Sequence, residues 1–155
     1  MRVRHATLDE LSRATGASQP PWLGAAVLGL HEMADPHSSR VLVAEEDGRV
    51  RGVLGLGFEW GRDGRLERAV VEVLVIDPEH DRRGIGSRLV RFAEGIVRIH
   101  GCTRVEVAPG LEDWGGGQCW GSLGYDGPDN QLSKELPQPG QSRDTGARRC
   151  RSGGP

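Results

Sequence analysis

A mixed α/β fold, with a mostly antiparallel sheet flanked by helices, is what the amino-acid sequence predicts, and three observations carry that expectation. Residues 40–46, 49–60 and 68–76 are consecutive β-rich runs separated by turn signals at Asp47-Gly48 and 61–64, the pattern of a meander. Residues 84–101 repeat apolar side chains at helical spacing and lead into a further β-rich run at 104–108, so a β-α-β unit closes around Gly84. Such a crossover implies a parallel pair of strands covered on at least one face. Two helical segments precede the meander and supply further cover.

Residues 1–6 alternate apolar and polar side chains, as a short strand does. Thr7-Leu8-Asp9-Glu10 is a capping box, in which a hydroxyl and a carboxylate satisfy amides that a starting helix leaves unpaired. Pro20-Pro21 breaks the chain, and residues 22–33 then place Leu23, Val27 and Leu30 at helical spacing, with Ala34 just beyond. In the helix at 84–101, Ile85, Leu89, Phe92, Ala93 and Ile96 form the apolar face, and Gly101 is its terminating glycine. Residues 111–123 make a poor helix, because each of Gly115, Gly116 and Gly117 costs roughly 1 kcal/mol relative to alanine. From Pro137 the chain is rich in Pro, Gly, Ser and Arg without apolar periodicity, so a disordered tail over 137–155 is expected after one domain at 1–136.

A chain of 155 residues can bury a sizeable core within one domain. A net charge of -2 provides no basic field, which argues against nucleic acid or an anionic membrane as partner. Lys134 is the only lysine, an arginine bias consistent with a GC-rich genome. Cys102, Cys119 and Cys150 are odd in number and lack the Cys-x-x-Cys or His spacing of a zinc or redox site, so reduced thiols and no metal are expected. The start of the chain has no apolar core of a signal peptide, and no segment reaches the length of a membrane span. A cytoplasmic protein is the expectation.

The stretch from Val73 to Glu94 carries the chemistry. An apolar strand passes through a charged loop into Gly84-Ile85-Gly86 and an amphipathic helix, the shape of a phosphate cradle. Amides at a helix start are unpaired and sit at the positive end of its dipole, and glycine lets a ligand approach the backbone and permits positive φ. The bland alternative is a strand-to-helix turn that happens to use glycine. A dinucleotide fingerprint fits less well, since Leu89 stands at its third glycine and residues 77–83 separate Ile76 from Gly84, although Glu106 lies at the distance of a ribose-binding acid. No Gly-Lys-Ser/Thr follows, which excludes a Walker loop.

Ile76-Asp77-Pro78 followed by Asp81-Arg82-Arg83-Gly84-Ile85-Gly86 strongly resembles motif A of the GNAT superfamily of acetyl-CoA-dependent N-acetyltransferases. Asp81 departs from the pattern by occupying the usual Gln/Arg site, with Arg82 and Arg83 available to offset its charge. Downstream, Gln118 to Tyr125 resembles the end of motif B, where a helix closes before Leu-Gly-Phe/Tyr. The resemblance covers about residues 1–136 and is strongest from Val70 to Tyr125. It implies a GNAT-like fold with a splayed parallel pair, and acetyl transfer from acetyl-CoA to a primary amine of a small molecule or peptide. It also implies that Arg82, Arg83, Gly84, Ile85, Gly86 and Ser87 hold the pyrophosphate, while the backbone of Leu74, Val75 and Ile76 pairs with the pantetheine arm. Homodimers are common in that family, and its acceptors are bounded by the first two helices.

Acetyl transfer needs a positioned thioester, a base that keeps the amine neutral, and a means of stabilising the departing thiolate. Period-two alternation places Val70, Glu72, Leu74 and Ile76 on one face of a strand, so Glu72 is a carboxylate among apolar neighbours and the first candidate base. The alternative is a charge at a solvated or edge position. Glu59 is the reserve candidate, whereas His31 and His37 read as surface or packing histidines. Trp120 stands where many family members carry a tyrosine; its indole N–H can donate a hydrogen bond to sulfur but no proton near neutral pH. Tyr125, the only tyrosine, is either its substitute or a core aromatic, and Trp22, Trp114 and Trp120 read as core or as an acceptor wall. A noncatalytic acyl-CoA-binding regulatory module is the rival reading.

Overall fold

The computed structural model describes residues 1–14, 20–33, 38–111, 114, 118–128 and 131–137, with the backbone alone at 14, 81–83 and 118. The expected tail beyond Pro137, Cys150, Ala34, His37 and the glycines at 115–117 lie outside the described residues.

Six strands form one sheet in the order β1-β2-β3-β4-β5-β6. They are β1 (Arg2–Ala6), β2 (Ser39–Glu46), β3 (Arg49–Trp60), β4 (Leu66–Ile76), β5 (Arg104–Val107) and β6 (Ser133–Glu135). The helices are α1 (Leu8–Ala14), α2 (Pro21–His31), α3 (Ile85–Ile99) and α4 (Gln118–Ser122), and a 3₁₀ segment (Pro78–Arg83) links β4 to α3. This is the mixed, mostly antiparallel sheet flanked by helices that the sequence predicts. Strand β6 was not foreseen, because three residues carry too little alternation to be read. Among the described residues no helix is long and apolar enough to cross a membrane.

By packing, the chain divides into two compact units, Met1–Gly57 with Val71–Ala93, and Phe58–Val70 with Glu94–Pro155. In the first, β1 and β3 each pair antiparallel with β2. The β2-β3 turn uses Asp47 at φ 55° and Gly48 at φ 76°, the left-handed pair that a two-residue hairpin turn demands. One face of β2, β3 and β4, through Val43, Val53 and Val73, packs on Leu11 of α1 and on Leu23, Ala26 and Leu30 of α2. The opposite face receives the start of α3, where a Cβ on Gly52 would meet Ile85 at 2.9 Å and Leu89 at 3.1 Å. At the start of α1 the Thr7 hydroxyl accepts from the Glu10 amide at 3.0 Å, as the capping box predicts. The Glu10 carboxylate differs from that motif and pairs with Arg4 at 2.7 Å, a cation on the neighbouring strand being the stronger partner.

In the second unit, β5 and β6 pair antiparallel, and Val105, Val107, Trp120, Leu123, Tyr125 and Leu136 are buried. Gly101 at φ 82° ends α3, and the Cys102 amide reaches back to the Val97 carbonyl at 3.2 Å. Along α3 the buried face differs from the expected one at a single residue. Ile85, Leu89, Ala93 and Ile96 are buried, but Phe92 is 38% exposed and lies edge-on to His5. The buried arc turns towards Val90 and Val97 instead, which leaves Phe92 at its margin.

Candidate functional site

Beyond Ile76 the chain turns at once into the 3₁₀ segment, capped by Asp77, whose side chain accepts from the Glu79 amide at 3.0 Å. Gly84 follows in the left-handed conformation, φ 75° and ψ 18°, and a Cβ there would meet nothing within 4 Å. The amides of Ile85, Gly86 and Ser87 then form the first turn of α3, where N–H groups have no helical carbonyl one turn earlier. Gly84 is exposed, Ile85 and Gly86 are buried and Ser87 is half-buried, and helix-start amides are the kind of donor that suits a diphosphate. Positive φ is a property of Gly84 and not of Gly86. Leu74, Val75 and Ile76 end β4 half-buried; the side chains of Arg82 and Arg83 lie outside the described residues.

Asp77 is the hub of this turn. Arg51 of β3 donates to Asp77 Oδ2 at 3.0 Å, and His80 Nδ1 approaches the same oxygen at 3.1 Å. A carboxylate in its charged form can only accept, so Nδ1 carries the proton. Burial pushes the Asp77 carboxyl up, but the Glu79 amide, Arg51 and His80 outweigh it and hold the pKa below the ordinary carboxylate value. Sequence reading passed over these three residues. An Asp two positions before a free amide is a readable cap signal, whereas the arrival of Arg51 depends on strand register.

Glu72 is half-buried in β4, and its position corrects the expected alternation. A Cβ on Gly55 would meet Leu30, Met33 and Val73, and one on Gly57 would collide with the Glu72 carboxylate. Gly55 and Gly57 point to the same side of β3, so Glu72 and its neighbour Val73 share a face. Ile76 instead meets Gly52, which points the other way. Strict period two is therefore broken at Glu72-Val73, and Glu72 lies on the side covered by α1 and α2, opposite Ile76. On that side is a cavity of about 400 Å³ with Leu30, Met33 and Val41 among its apolar walls and His5, His31 and Arg40 among its polar ones. Ser39, which also lines it, is the β2 partner of Gly57, so cavity and carboxylate share strand neighbours.

Trp120 and Tyr125 meet in the second unit with ring centroids 5.1 Å apart. Trp120 is fully buried, and its single indole N–H donates to the Leu111 carbonyl at 2.6 Å. Tyr125 is buried and donates to Glu94 at 2.7 Å, while Lys134 reaches the same carboxylate at 3.2 Å. Burial, followed by the charge and hydrogen bond of Glu94, raises the phenol pKa, so its proton is held tightly. The donors considered for a departing thiolate are thus engaged inside the protein. The reserve base Glu59 is gripped by Arg68 at 2.8 and 2.7 Å, and Glu106, the acid of the dinucleotide reading, by Arg68 and Arg104, each at 2.8 Å. Among the described residues no cluster of His, Cys, Asp and Glu could hold a metal ion.

The sheet, the left-handed Gly84 and the start of α3 together form a strand-turn-helix unit with a glycine at the helix start. Residues 5–113 match the Acetyltransferase (GNAT) family, and the chain belongs to it. No curated protein sequence matches the chain significantly. Among solved structures, an aminoglycoside 6'-acetyltransferase type Ii superposes with a TM-score of 0.63 at 20% identity, covering 90% of this chain and 100% of that one. A PaiA N-acetyltransferase from Thermoplasma acidophilum, in complex with coenzyme A, gives 0.61 at 15% identity over 87% and 98% of the two chains. An acetyltransferase from Trypanosoma brucei gives 0.59 at 22% identity, covering 84% of this chain and 95% of that one. At these identities the likeness is one of fold.

Proposed function

We propose that the protein transfers the acetyl group of acetyl-CoA to a primary amine, by direct attack of the amine on the thioester in a ternary complex. The run from β4 through the capped turn to Gly84 and the first turn of α3 is the observation that carries this reading. The backbone of Leu74, Val75 and Ile76 pairs with the pantetheine arm, and the amides of Gly84, Ile85, Gly86 and Ser87, with Arg82 and Arg83, hold the diphosphate. Glu72 takes a proton from the amine, directly or through water, and the amine lies in the cavity beside it. As the new C–N bond forms the C–S bond breaks, and CoA leaves as a thiolate. A thiol is acidic enough to leave as its thiolate without a general acid, which suits the engaged donors of Trp120 and Tyr125. An aminoglycoside acetyltransferase among the similar structures supports an amine acceptor as the substrate class.

Two measurements test this reading. Acetyl-CoA at about a hundredfold its Kd should stabilise the fold by about 2.7 kcal/mol, and a flat melting curve would remove the cofactor. A panel of small amines and peptides should release free CoA thiol, with Glu72→Gln slower by about a hundredfold. The engaged donors of Trp120 and Tyr125 favour a second reading, a noncatalytic acyl-CoA-binding module. Tight binding without thiol release across the panel would select it.

A further inference from the structure

The turn that delivers Gly84 is anchored more heavily than a surface turn requires. One acceptor for the Glu79 amide would suffice to cap it. Yet Asp77 also receives Arg51 and His80 on its second oxygen, and its own amide donates to the Arg51 carbonyl at 2.8 Å. The side chains of Arg51, Asp77 and His80 are only 18%, 10% and 18% exposed, so charge has been taken out of water to build the hub. Arg51 reaches it because Glu45 pairs with Val50 while Ala44 pairs with Gly52, which leaves Arg51 the extra residue of β3 without a β2 partner. The Arg51 Nε is buried and has no acceptor among the described residues, a cost that a purely local cap would not incur.

We propose that Asp77, Arg51 and His80 are positioning residues that pin the turn to β3 and so hold the helix-start amides in register for the diphosphate of CoA. This rests on the acetyl-CoA reading above. Residues 77–83 separate β4 from Gly84, and a seven-residue spacer has several compact paths. Tying residues 77–80 to β3 leaves three residues between the anchor and Gly84, so the order of the cradle is set before the ligand arrives. Affinity gained from several fixed donors depends on that order being established in advance.

Isothermal titration with coenzyme A on the full chain tests the proposal, at a temperature where circular dichroism shows each variant folded. Asp77→Asn keeps an acceptor for the Glu79 amide but loses the charge, and should raise the Kd about tenfold to a hundredfold. His80→Ala should weaken binding as well. His80→Asn, whose side-chain amide can stand where Nδ1 stands, should restore most of the loss. Val53→Ala is the control, a core truncation that lowers the melting temperature without touching the turn. Wild-type protein that does not bind coenzyme A overturns the cofactor reading itself. Wild-type binding with Asp77→Asn within about twofold of it, or with Val53→Ala weakened equally, overturns the positioning role while leaving that reading intact.

Discussion

Gly57 is the residue on which the candidate base depends, because the Glu72 carboxylate lies where its Cβ would be. Gly57→Ala should displace a flexible carboxylate end while sparing the backbone, so its expected signature is lost turnover with a nearly unchanged melting temperature. Equal falls in both would assign Gly57 to packing alone. Trp120 carries the opposite expectation. Its N–H satisfies the Leu111 carbonyl, and Trp120→Phe should cost about 1–3 kcal/mol in urea unfolding by stranding that acceptor. An unaltered urea midpoint would contradict the hydrogen bond. Glu72 was legible as a carboxylate in an apolar strand, but its face was not. A pleat gives one answer for every residue until an irregularity shifts it, and the irregularity is set by the neighbouring strand.

At the scale of elements, α3 was legible almost to its ends from apolar spacing and from Gly101. Its interior holds Gly95, whose Cβ would meet nothing within 4 Å and whose φ is not positive. Gly95→Ala should therefore stabilise the protein by about 0.5–1 kcal/mol, read as a rise of a few degrees in melting temperature. A fall would mean that the site is closed to a methyl group. The link between α3 and β6 is long-range, through Lys134 on the buried Glu94 carboxylate. Lys134→Met should cost about 2–3 kcal/mol in urea unfolding, less than a fully buried pair because the lysine side chain is 24% exposed. Nothing in the sequence announces that pair, since forty residues separate its members.

Across the whole molecule, stability should fall on acidification, and the direction follows from depressed carboxyls, Asp77 and Glu106 among them. Asp77 and Glu106 each have a folded pKa below the ordinary value, Glu106 because Arg104 and Arg68 outweigh the effect of burial. A depressed folded pKa contributes stability that is fully present above the unfolded value of about 4 and is lost as pH falls through the folded one. Urea unfolding followed from pH 7 downwards should therefore weaken below about pH 4, and Asp77→Asn should flatten that slope. A slope unchanged in the variant would mean that other carboxyls carry it.

The sequence by itself determined the class of fold, the order of its main elements up to α4 and the place of the glycine turn. Each of these is written in local chemistry: helical or two-residue periodicity, the Asp47-Gly48 turn, and glycine where the chain needs positive φ. Tertiary structure alone decided which side of the sheet Glu72 occupies, that Arg51 reaches Asp77, and that Trp120 and Tyr125 turn their donors inward. Those outcomes depend on strand register and on partners far along the chain. The extra residue in β3, Arg51, shows how a shift of register sets such a contact without changing any local pattern.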